Sequence, residues 1–400
     1  MNAGRPYDLD DRFERTGLLG SARRIVVKVG THILSRDDNL LDVTFIGQLM
    51  AQVAEVRAKG VEVAIVSSGA VGAGMGTLGL KARPAKLEDL QAMAAVGQSV
   101  LMHHYDHGAA PHGLHVAQVL LSATDIREKD GYKNVRNAFG ALFRLGAVPI
   151  VNENDSVAVD ELRFGDNDSL SAHVTNLINA DLLVILTDTD GLHEGDPKRQ
   201  PPPPLIKTVY QISRTVEELC GGSASGSGIG GMQTKVGAAK TLSLAGVPTI
   251  IAHGRKVRLA EMLAGKPDGT IFLPQTDREG MKVHHHWLLS IKPSGKLVVD
   301  DGAAKALIER GVSLLPSGVR RVYGRFAQGD SVSVHRLGGG GEIARGIVRY
   351  SAEDVRKLAG RHSREIADIL GYDYGDEIIH CDNMVTIANG PTGKEQSRKR

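Results

Sequence analysis

The sequence predicts an α/β fold, with a mostly parallel, open sheet sandwiched by helices and followed by a small β-rich domain. Apolar runs typical of buried strands alternate with helical patterns through the first two thirds of the chain, and the connections between them are short. Beyond residue 274 the pattern changes to short strands separated by turns. The 400 residues are enough for two or three domains.

Composition excludes several classes of protein. The net charge of +2 gives no indication of a nucleic acid or a membrane as the main partner. The two cysteines, Cys220 and Cys381, cannot form a disulfide framework, so we expect a cytoplasmic location. The sequence contains no uninterrupted apolar run of about 18 residues, so no transmembrane helix is expected. Residues 1–21 are polar and mixed in charge, which predicts a loose extension rather than a signal peptide.

The expected elements of the first domain follow from apolar periodicity and from capping residues. Asp42 can cap a helix that runs to Gly60, because apolar residues recur at helical spacing between them. Apolar runs predict strands at 24–30, 61–66, 113–121, 147–151, 181–186, 247–252 and 270–272. Helical spacing predicts helices at 87–105, 130–145, 170–177, 232–245 and 257–264.

Short acids and amides are concentrated between residues 150 and 170. Asn152–Asp155 follow a buried strand directly, and Asp166–Asp168 precede a helical run. Ligands of open parallel sheets bind beyond the carboxyl ends of the strands, so both clusters are candidate site residues. The alternative is that these residues only form turns and helix caps, which are common roles for Asp and Asn.

Polar residues also follow the other predicted strands. Lys28 ends the first strand just before Gly30, where it can bind phosphate. Ser68 lies in a loop of small residues, 67–74, whose hydroxyls and amides can bind an anion. Thr187 and Asp188 end the fifth strand. For Lys28 the alternative is a side chain that extends outward to solvent, and for the loop it is a flexible turn.

A glycine-rich segment, residues 221–231, leads into Met232–Lys235 at the start of a helix. Backbone amides at a helix N-terminus, with a lysine in the first turn, suit nucleotide phosphates. The spacing is not that of a P-loop, because no Gly-Lys-Ser/Thr occurs. A flexible Gly/Ser linker is the alternative.

Together these residues indicate phosphoryl transfer. Two lysines and glycine-rich turns point to a polyphosphate, and carboxylates without a cysteine or histidine cluster point to Mg²⁺. Catalysis of phosphoryl transfer depends mainly on positioning and charge neutralisation. The pattern identifies no protein ligand for the metal.

Six motifs occur in the order found in one known family. The segments VVKVGTHIL, IVSSGAVGAG, VNENDSVAV, FGDNDSLSA, LTDTDGL and GIGGMQTK resemble the glutamate 5-kinases (gamma-glutamyl kinases) of the amino-acid kinase superfamily, over about residues 24–272. The segments DDGAAKALIERGVSLLPSGV and ARGIVRYSAEDV resemble the PUA domain that many bacterial members carry. The predicted organisation is an N-terminal extension (1–22), an amino-acid kinase domain (23–274), a linker (275–285), a PUA-like domain (286–388) and a polar tail (389–400).

The resemblance implies ATP-dependent phosphorylation of the side-chain carboxylate of L-glutamate to L-glutamyl 5-phosphate, the first step of proline biosynthesis. It implies catalytic roles for Lys28, Asp166, Asp168 and Lys235. It implies glutamate binding by Ser68, Asp155 and Asn167. The residues implied in ATP binding are Lys28, Thr187, Asp188, Ile229, Gly230, Gly231, Met232, Gln233, Thr234 and Lys235. Ile229 stands where threonine often occurs in the family, so a side-chain hydroxyl contact is not expected there.

The resemblance also implies partners. Proline is expected to inhibit by feedback and to compete for the glutamate pocket. Association through the kinase domain and handover of the labile product to glutamyl phosphate reductase are further expectations. Two competing hypotheses are a related kinase acting on another small acid, and an RNA-binding module whose kinase half is only a scaffold. The weak basic charge of the second domain does not favour the latter.

Overall fold

The structure is a computed structural model. It describes residues 6–10, 12–36, 40–127, 129–156, 166–197, 199–220, 231–275, 288–289, 293–339 and 341–387. The chain divides into two compact units, Met1–Pro274 and Gln275–Arg400. The predicted tail and all but the first residue of the predicted linker lie outside the described residues. Most of the glycine-rich segment, residues 221–230, also lies outside them.

The described residues of the first unit form a nine-stranded sheet in the spatial order β1-β7-β9-β8-β6-β2-β3-β5-β4. All neighbours from β8 to β4 are parallel, which confirms the prediction of a mostly parallel sheet. The β8–β9 and β1–β7 pairs are antiparallel. The strands are β1 (Tyr7–Asp8), β2 (Arg24–Val29), β3 (Glu62–Ser67), β4 (His115–Leu121), β5 (Ala147–Glu153), β6 (Leu182–Thr187), β7 (Thr208–Val209), β8 (Thr249–His253) and β9 (Thr270–Phe272).

Helices connect these strands, most of them close to the predicted positions. Asp42 caps the helix that follows it, as predicted, by accepting a hydrogen bond from the Phe45 amide at 3.0 Å. The helices are α1 (Thr16–Leu19), α2 (Thr31–Leu34), α3 (Val43–Ala58), α4 (Ala70–Thr77), α5 (Leu87–Ala109), α6 (Ala123–Arg127), α7 (Lys129–Arg144), α8 (Asn167–Leu177), α9 (Arg214–Leu219), α10 (Met232–Leu244) and α11 (Leu259–Leu263).

Strands β2, β3 and β6 lie at the centre of the sheet and are almost entirely buried. Burial on both faces explains their continuous apolar sequences, since strands of parallel sheets are covered by helices on each side. The register places Lys28 of β2 opposite Val66 of β3 and Ile185 of β6. Because the three strands are parallel, their carboxyl ends meet at one edge of the sheet.

The described residues of the N-terminal extension, 6–10 and 12–22, are attached to the first unit, which corrects the prediction of a loose segment there. Strand β1 pairs with β7, with Tyr7 opposite Val209. Arg15 is only 2% exposed. Its guanidinium donates hydrogen bonds to the carbonyl oxygens of Lys207 at 2.8 Å and Asp268 at 2.9 Å. The polar composition predicted a loose segment. The contacts of β1 and Arg15 are hydrogen bonds to backbone groups, and such contacts leave no apolar pattern in the sequence.

The second unit is β-rich, as predicted. Its described residues form a five-stranded sheet in the order β11-β10-β12-β13-β14. The strands are β10 (Gly295–Val299), β11 (Val319–Gly324), β12 (Ser331–Arg336), β13 (Glu342–Ile347) and β14 (Met384–Thr386), and the helices are α12 (Asp301–Arg310), α13 (Ala352–Leu358) and α14 (Ile366–Leu370). Among the described helices of both units, none has the length and apolar content needed to cross a bilayer.

Candidate active site

Lys28 and Asp168 form an ion pair in the interior of the first unit. Lys28 lies near the end of β2 and is 5% exposed, and Asp168 lies in the first turn of α8 and is fully buried. Lys28 Nζ is 2.7 Å from Asp168 Oδ1. The alternative in which Lys28 extends outward to solvent is therefore wrong.

Lys235 reaches the same carboxylate from a distant part of the chain. It lies in the first turns of α10, is 5% exposed, and places Nζ 3.1 Å from Asp168 Oδ2. The hydroxyl of Thr234 donates a hydrogen bond to the same oxygen at 2.6 Å. The two lysines predicted to bind phosphate thus contact the same aspartate. This is possible because the end of β2 and the first turns of α8 and α10 lie close together.

The charges in this cluster change the pKa values of its members. Burial alone would raise the pKa of Asp168, but the ammonium groups of Lys28 and Lys235 lower it below its usual value. Burial lowers the pKa of Lys28; Asp168 opposes this shift, and Lys235 adds to it. Two ammonium groups therefore contact one carboxylate, and the nearby Asp166 also acts on the charge of Lys28.

Asp166 caps the helix that carries Asp168. Its side chain accepts a hydrogen bond from the Ser169 amide at 2.7 Å. Burial raises the pKa of Asp166; the Ser169 hydrogen bond opposes this shift, and the charge of Asp168 adds to it. The two aspartates therefore have pKa values shifted in opposite directions, although they are two residues apart. Helix capping is the alternative role that the sequence predicts for these acids, and Asp166 does cap a helix.

Asn167 joins the ends of β3 and β5 to the start of α8. Its Nδ2 atom donates to Ser67 O, to Ser68 Oγ and to Asn152 Oδ1, each at 3.0 Å. Two of the three predicted glutamate-binding residues, Ser68 and Asn167, are therefore in direct contact. The third, Asp155, lies two residues beyond the end of β5 and is partly exposed.

The predicted ATP-binding residues occupy two neighbouring places. Thr187 ends β6, is 6% exposed, and donates from its hydroxyl to Asp188 Oδ1 at 3.1 Å. The other place is the N-terminus of α10, where Gly231 and Gln233 are exposed and Met232 and Thr234 are partly exposed. Ile229 and Gly230 lie outside the described residues.

A cavity of about 530 Å³ lies elsewhere in the first unit, lined in part by Arg24, Arg136 and Phe143. Arg24 begins β2, whereas Lys28 lies near the carboxyl end of that strand. The cavity shares none of its lining residues with the lysine–aspartate cluster. The candidate active site is therefore defined by converging polar groups rather than by the volume of this cavity.

Sequence reasoning missed one buried polar residue beside this site. Gln98 of α5 is 8% exposed and accepts a hydrogen bond from Asn152 Nδ2 at 3.0 Å. The available signal was its position on the apolar face of the helix, together with Ala94, Leu101 and Tyr105, which are all buried. A lone glutamine in such a face indicates a buried hydrogen bond.

Comparisons with known proteins identify the family of this chain. Residues 23–253 match the amino acid kinase family and residues 295–370 match the PUA domain. The glutamate 5-kinase of Geobacter sulfurreducens is 49% identical over 375 residues, which cover 93% of this chain and 100% of that protein. The glutamate 5-kinase of Pelobacter propionicus is 45% identical over 377 residues, with coverage of 93% and 100%. Carbamate kinase from Giardia lamblia bound to AMP-PNP, a solved structure, has a TM-score of 0.47 at 16% identity, over 64% of this chain and 99% of that chain.

Proposed function

The chain belongs to the amino acid kinase family, within its group of glutamate 5-kinases, and on this premise we propose how its residues carry out the reaction. The enzyme transfers the γ-phosphoryl group of ATP to the side-chain carboxylate of L-glutamate. The products are ADP and L-glutamyl 5-phosphate, and the reaction is the first step of proline biosynthesis. The proposed kinase domain comprises residues 23–274 and the proposed PUA-like domain comprises residues 286–388.

The observation that carries the mechanism is the contact of Asp168 with both Lys28 and Lys235. Glutamate and ATP are both anionic, so their approach is opposed by charge repulsion. Buried cations held at fixed positions offset this repulsion without reorganising during the reaction. Lys28 contacts the ATP phosphates, and Lys235 also neutralises the charge on the phosphoryl group as it moves. Asp168 orients both ammonium groups.

The nucleophile is the side-chain carboxylate of glutamate itself. A carboxylate is already deprotonated at neutral pH, so the reaction requires no general base. The protein therefore acts mainly by placing two substrates in line, which is the usual situation in phosphoryl transfer. Asp166 contributes by capping α8, which keeps Asp168 between the lysines.

The ATP side of the site comprises the ends of β2 and β6 and the start of α10. Thr187, Asp188 and residues 229–235 hold the nucleotide. Helix α10 has 13 residues, and the positive end of its dipole favours phosphate groups. We place Lys28 against the phosphates because its strand lies beside β6 in the sheet.

Mg²⁺ fits the donor chemistry if ATP supplies most of its ligands. Mg²⁺ in kinases is held by substrate phosphates and one or two carboxylates. Both oxygens of Asp168 face ammonium groups, so this residue is poorly placed to bind a metal directly. The metal would neutralise charge on the phosphates, and no particular protein ligand is assigned to it.

The glutamate side comprises Ser68, Asp155 and Asn167. Asp155 is the group suited to the α-ammonium of glutamate, since it supplies a carboxylate just beyond β5, which is the neighbour of the strand that Ser68 follows. Proline, which also carries an α-carboxylate and a cationic nitrogen, is proposed to compete in this pocket. Association of kinase domains into a homo-oligomer, a cytoplasmic location and handover of the labile product to a reductase complete the proposal.

The proposed role of Lys235 can be tested with a matched pair of variants. Lys235→Ala should lose at least about 100-fold in activity, because it removes a cation that stabilises the transition state. Product is measured as hydroxamate formed from the acyl phosphate in the presence of hydroxylamine. Lys240→Ala is the control, since Lys240 lies on the same helix but is exposed and pairs with Glu217. A Lys235→Ala variant as active as Lys240→Ala would contradict the proposal.

A further inference from the structure

Four side-chain amides form a continuous hydrogen-bonded chain from strand β4 to the start of α8. Gln98 Nε2 donates to Gln118 Oε1 at 3.1 Å, and Gln98 Oε1 accepts from Asn152 Nδ2 at 3.0 Å. Asn152 Oδ1 accepts from Asn167 Nδ2 at 3.0 Å. We refer to Gln118, Gln98, Asn152 and Asn167 as the amide chain. Four elements that are separate in sequence, β4, α5, β5 and α8, are thereby connected beside Ser68.

Two backbone groups fix the direction of the amide chain. The carbonyl oxygen of Ser67 can only accept, so the atom of Asn167 that lies 3.0 Å from it must be the nitrogen. The amide of Glu153 can only donate, so the atom of Asn152 that lies 3.0 Å from it must be the oxygen. Asn152 therefore offers its nitrogen to Gln98, and Gln98 must present its oxygen to Asn152.

The middle of the amide chain is buried, whereas its outer end is not. Asn152 is 3% exposed and Gln98 is 8% exposed, but Gln118 lies exposed on an edge strand. Water can replace Gln118, but it has little access to the contact between Gln98 and Asn152. Without Gln98, the Asn152 nitrogen would be buried and unpaired, which favours reorientation of that side chain. Gln98 of α5 thus holds the side chain of Asn152 in its orientation within the amide chain.

The direction of the chain determines what Asn167 can offer to a ligand. Its nitrogen already donates to Ser67, Ser68 and Asn152. The remaining polar atom of this side chain is its carbonyl oxygen, which can only accept, so a ligand that contacts it must donate. An acceptor binds the ammonium group of an amino acid and disfavours a carboxylate at the same place. The substrate is therefore selected by its orientation as well as by its charge.

We propose that Gln98 is a positioning residue, which acts through Asn152 to hold Asn167 with its carbonyl oxygen towards the α-ammonium group of glutamate. This rests on the proposed function, since glutamate is the substrate that Asn167 would orient. We expect Gln98 to act on the glutamate side of the site, because the amide chain contacts Ser67 and Ser68 through Asn167 and Glu153 through Asn152.

The test compares kinetic constants of the full-length chain carrying Gln98→Leu. This variant should raise KM for glutamate about tenfold or more, leave KM for ATP within about twofold, and change kcat less than KM for glutamate. Gln98→Glu should restore KM for glutamate to within about threefold, since a carboxylate oxygen still accepts from Asn152. The exposed Gln118 amide can then turn and donate to the new side chain.

Asn176→Leu is the matched control, because Asn176 is a buried amide on α8, 2% exposed, whose side chain has no hydrogen-bond partner in the described part of the chain. It should leave both KM values unchanged. Unchanged KM for glutamate in Gln98→Leu, or equal increases in both KM values, would overturn the proposal. If that variant does not fold, Gln98→Met gives the same comparison with an unbranched side chain. A wild-type enzyme that does not phosphorylate glutamate would instead refute the proposed function.

Discussion

Asp168 binds two lysines with its two carboxylate oxygens, Lys28 at 2.7 Å and Lys235 at 3.1 Å. The three residues come from β2, α8 and α10, and all are at least 95% buried. A buried ion pair does not by itself stabilise a fold, because desolvation opposes the attraction of the charges. Removing the carboxylate of Asp168 is nevertheless costly, since Lys28 and Lys235 each lose a close anionic partner in the interior.

Asp168→Asn should therefore lower the free energy of unfolding by about 3–5 kcal/mol and abolish most of the activity. Urea denaturation measures the loss at neutral pH. Asp190→Asn is the control, because Asp190 pairs with Lys256 at the exposed surface and should change stability by less than about 1 kcal/mol. Equal effects of the two substitutions would contradict the role of the buried cluster.

The difference in stability between the wild type and Asp168→Asn should depend on pH in a defined way. Because the folded-state pKa of Asp168 lies below its ordinary value of 3.8, its ionisation stabilises the fold above that pH, and this contribution is lost as the pH falls through the folded-state pKa. The difference in stability between wild type and Asp168→Asn should be constant near neutrality and shrink only below about pH 4. A difference that shrinks between pH 8 and 6 would show that another group is responsible.

Asp166 should act on stability mainly as a helix cap. Asp166→Ala should lower the free energy of unfolding by about 0.5–2 kcal/mol, because the hydrogen bond to Ser169 is lost. Asp166→Asn should keep the cap. Its stability at neutral pH should be no lower than that of wild type. Because the pKa of Asp166 is raised in the folded state, ionisation of this carboxyl group at neutral pH disfavours folding, and asparagine does not ionise. Comparable losses in both variants would argue that the charge, not the cap, is required.

The close packing of α5 on α4 should be sensitive to a single methyl group. A Cβ atom at Gly97 would lie 1.8 Å from Ala70 O and 2.4 Å from Gly74 N. Gly97→Ala should therefore cost at least about 1–3 kcal/mol and, by displacing Gln98, raise KM for glutamate. Gly237→Ala is the control, because Gly237 is an exposed position of α10 where the added Cβ meets no atom within 4 Å, and it should stabilise the protein by about 0.5–1 kcal/mol. Tolerance of Gly97→Ala would contradict this packing.

Arg15 should be required for the stability of the first unit. Arg15→Met removes the donors to two carbonyl oxygens in a site that is 2% exposed and should cost about 1–3 kcal/mol in urea denaturation. Arg12→Met should have a much smaller effect, since the Arg12 side chain is 59% exposed and pairs with the nearby Asp8 and Asp10. Similar losses of stability in Arg15→Met and Arg12→Met would show that the N-terminal segment is loosely attached.

Proline should inhibit by occupying the glutamate pocket. Increasing proline should raise the apparent KM for glutamate and leave the maximal rate unchanged, because both ligands need the same acidic and amide groups. Initial rates are measured at several glutamate concentrations for each proline concentration. The same fractional inhibition at every glutamate concentration would place proline elsewhere.

Much of the fold could be predicted because its strands follow simple patterns. Continuous apolar runs identified β2, β3, β5, β6 and β8, and Asp42 identified the start of α3. The spatial order of the strands could not be predicted, since order depends on contacts between helices and sheet that periodicity does not encode. The segment around Arg15 was also misjudged, because its attachment depends on hydrogen bonds to backbone groups.

The candidate site was predicted through its motifs rather than through its geometry. Lys28 and Lys235 were predicted to bind phosphate, but nothing in their spacing required that Asp168 contact both. Gln98 was missed because one polar residue in an apolar helical face breaks no pattern. Its role depends on contacts between residues far apart in the sequence, Asn152 with Gln98 and Asn167 with Ser67, which only a three-dimensional structure shows.

The most direct test of the account is hydroxamate formation by the full-length enzyme with ATP, Mg²⁺ and one acid at a time. The acids are glutamate, aspartate, acetylglutamate and carbamate, each measured with the wild type and with Lys235→Ala. The account predicts efficient turnover of glutamate alone, which Lys235→Ala removes. Preference for another acid, or turnover of glutamate that does not depend on Lys235, would contradict it.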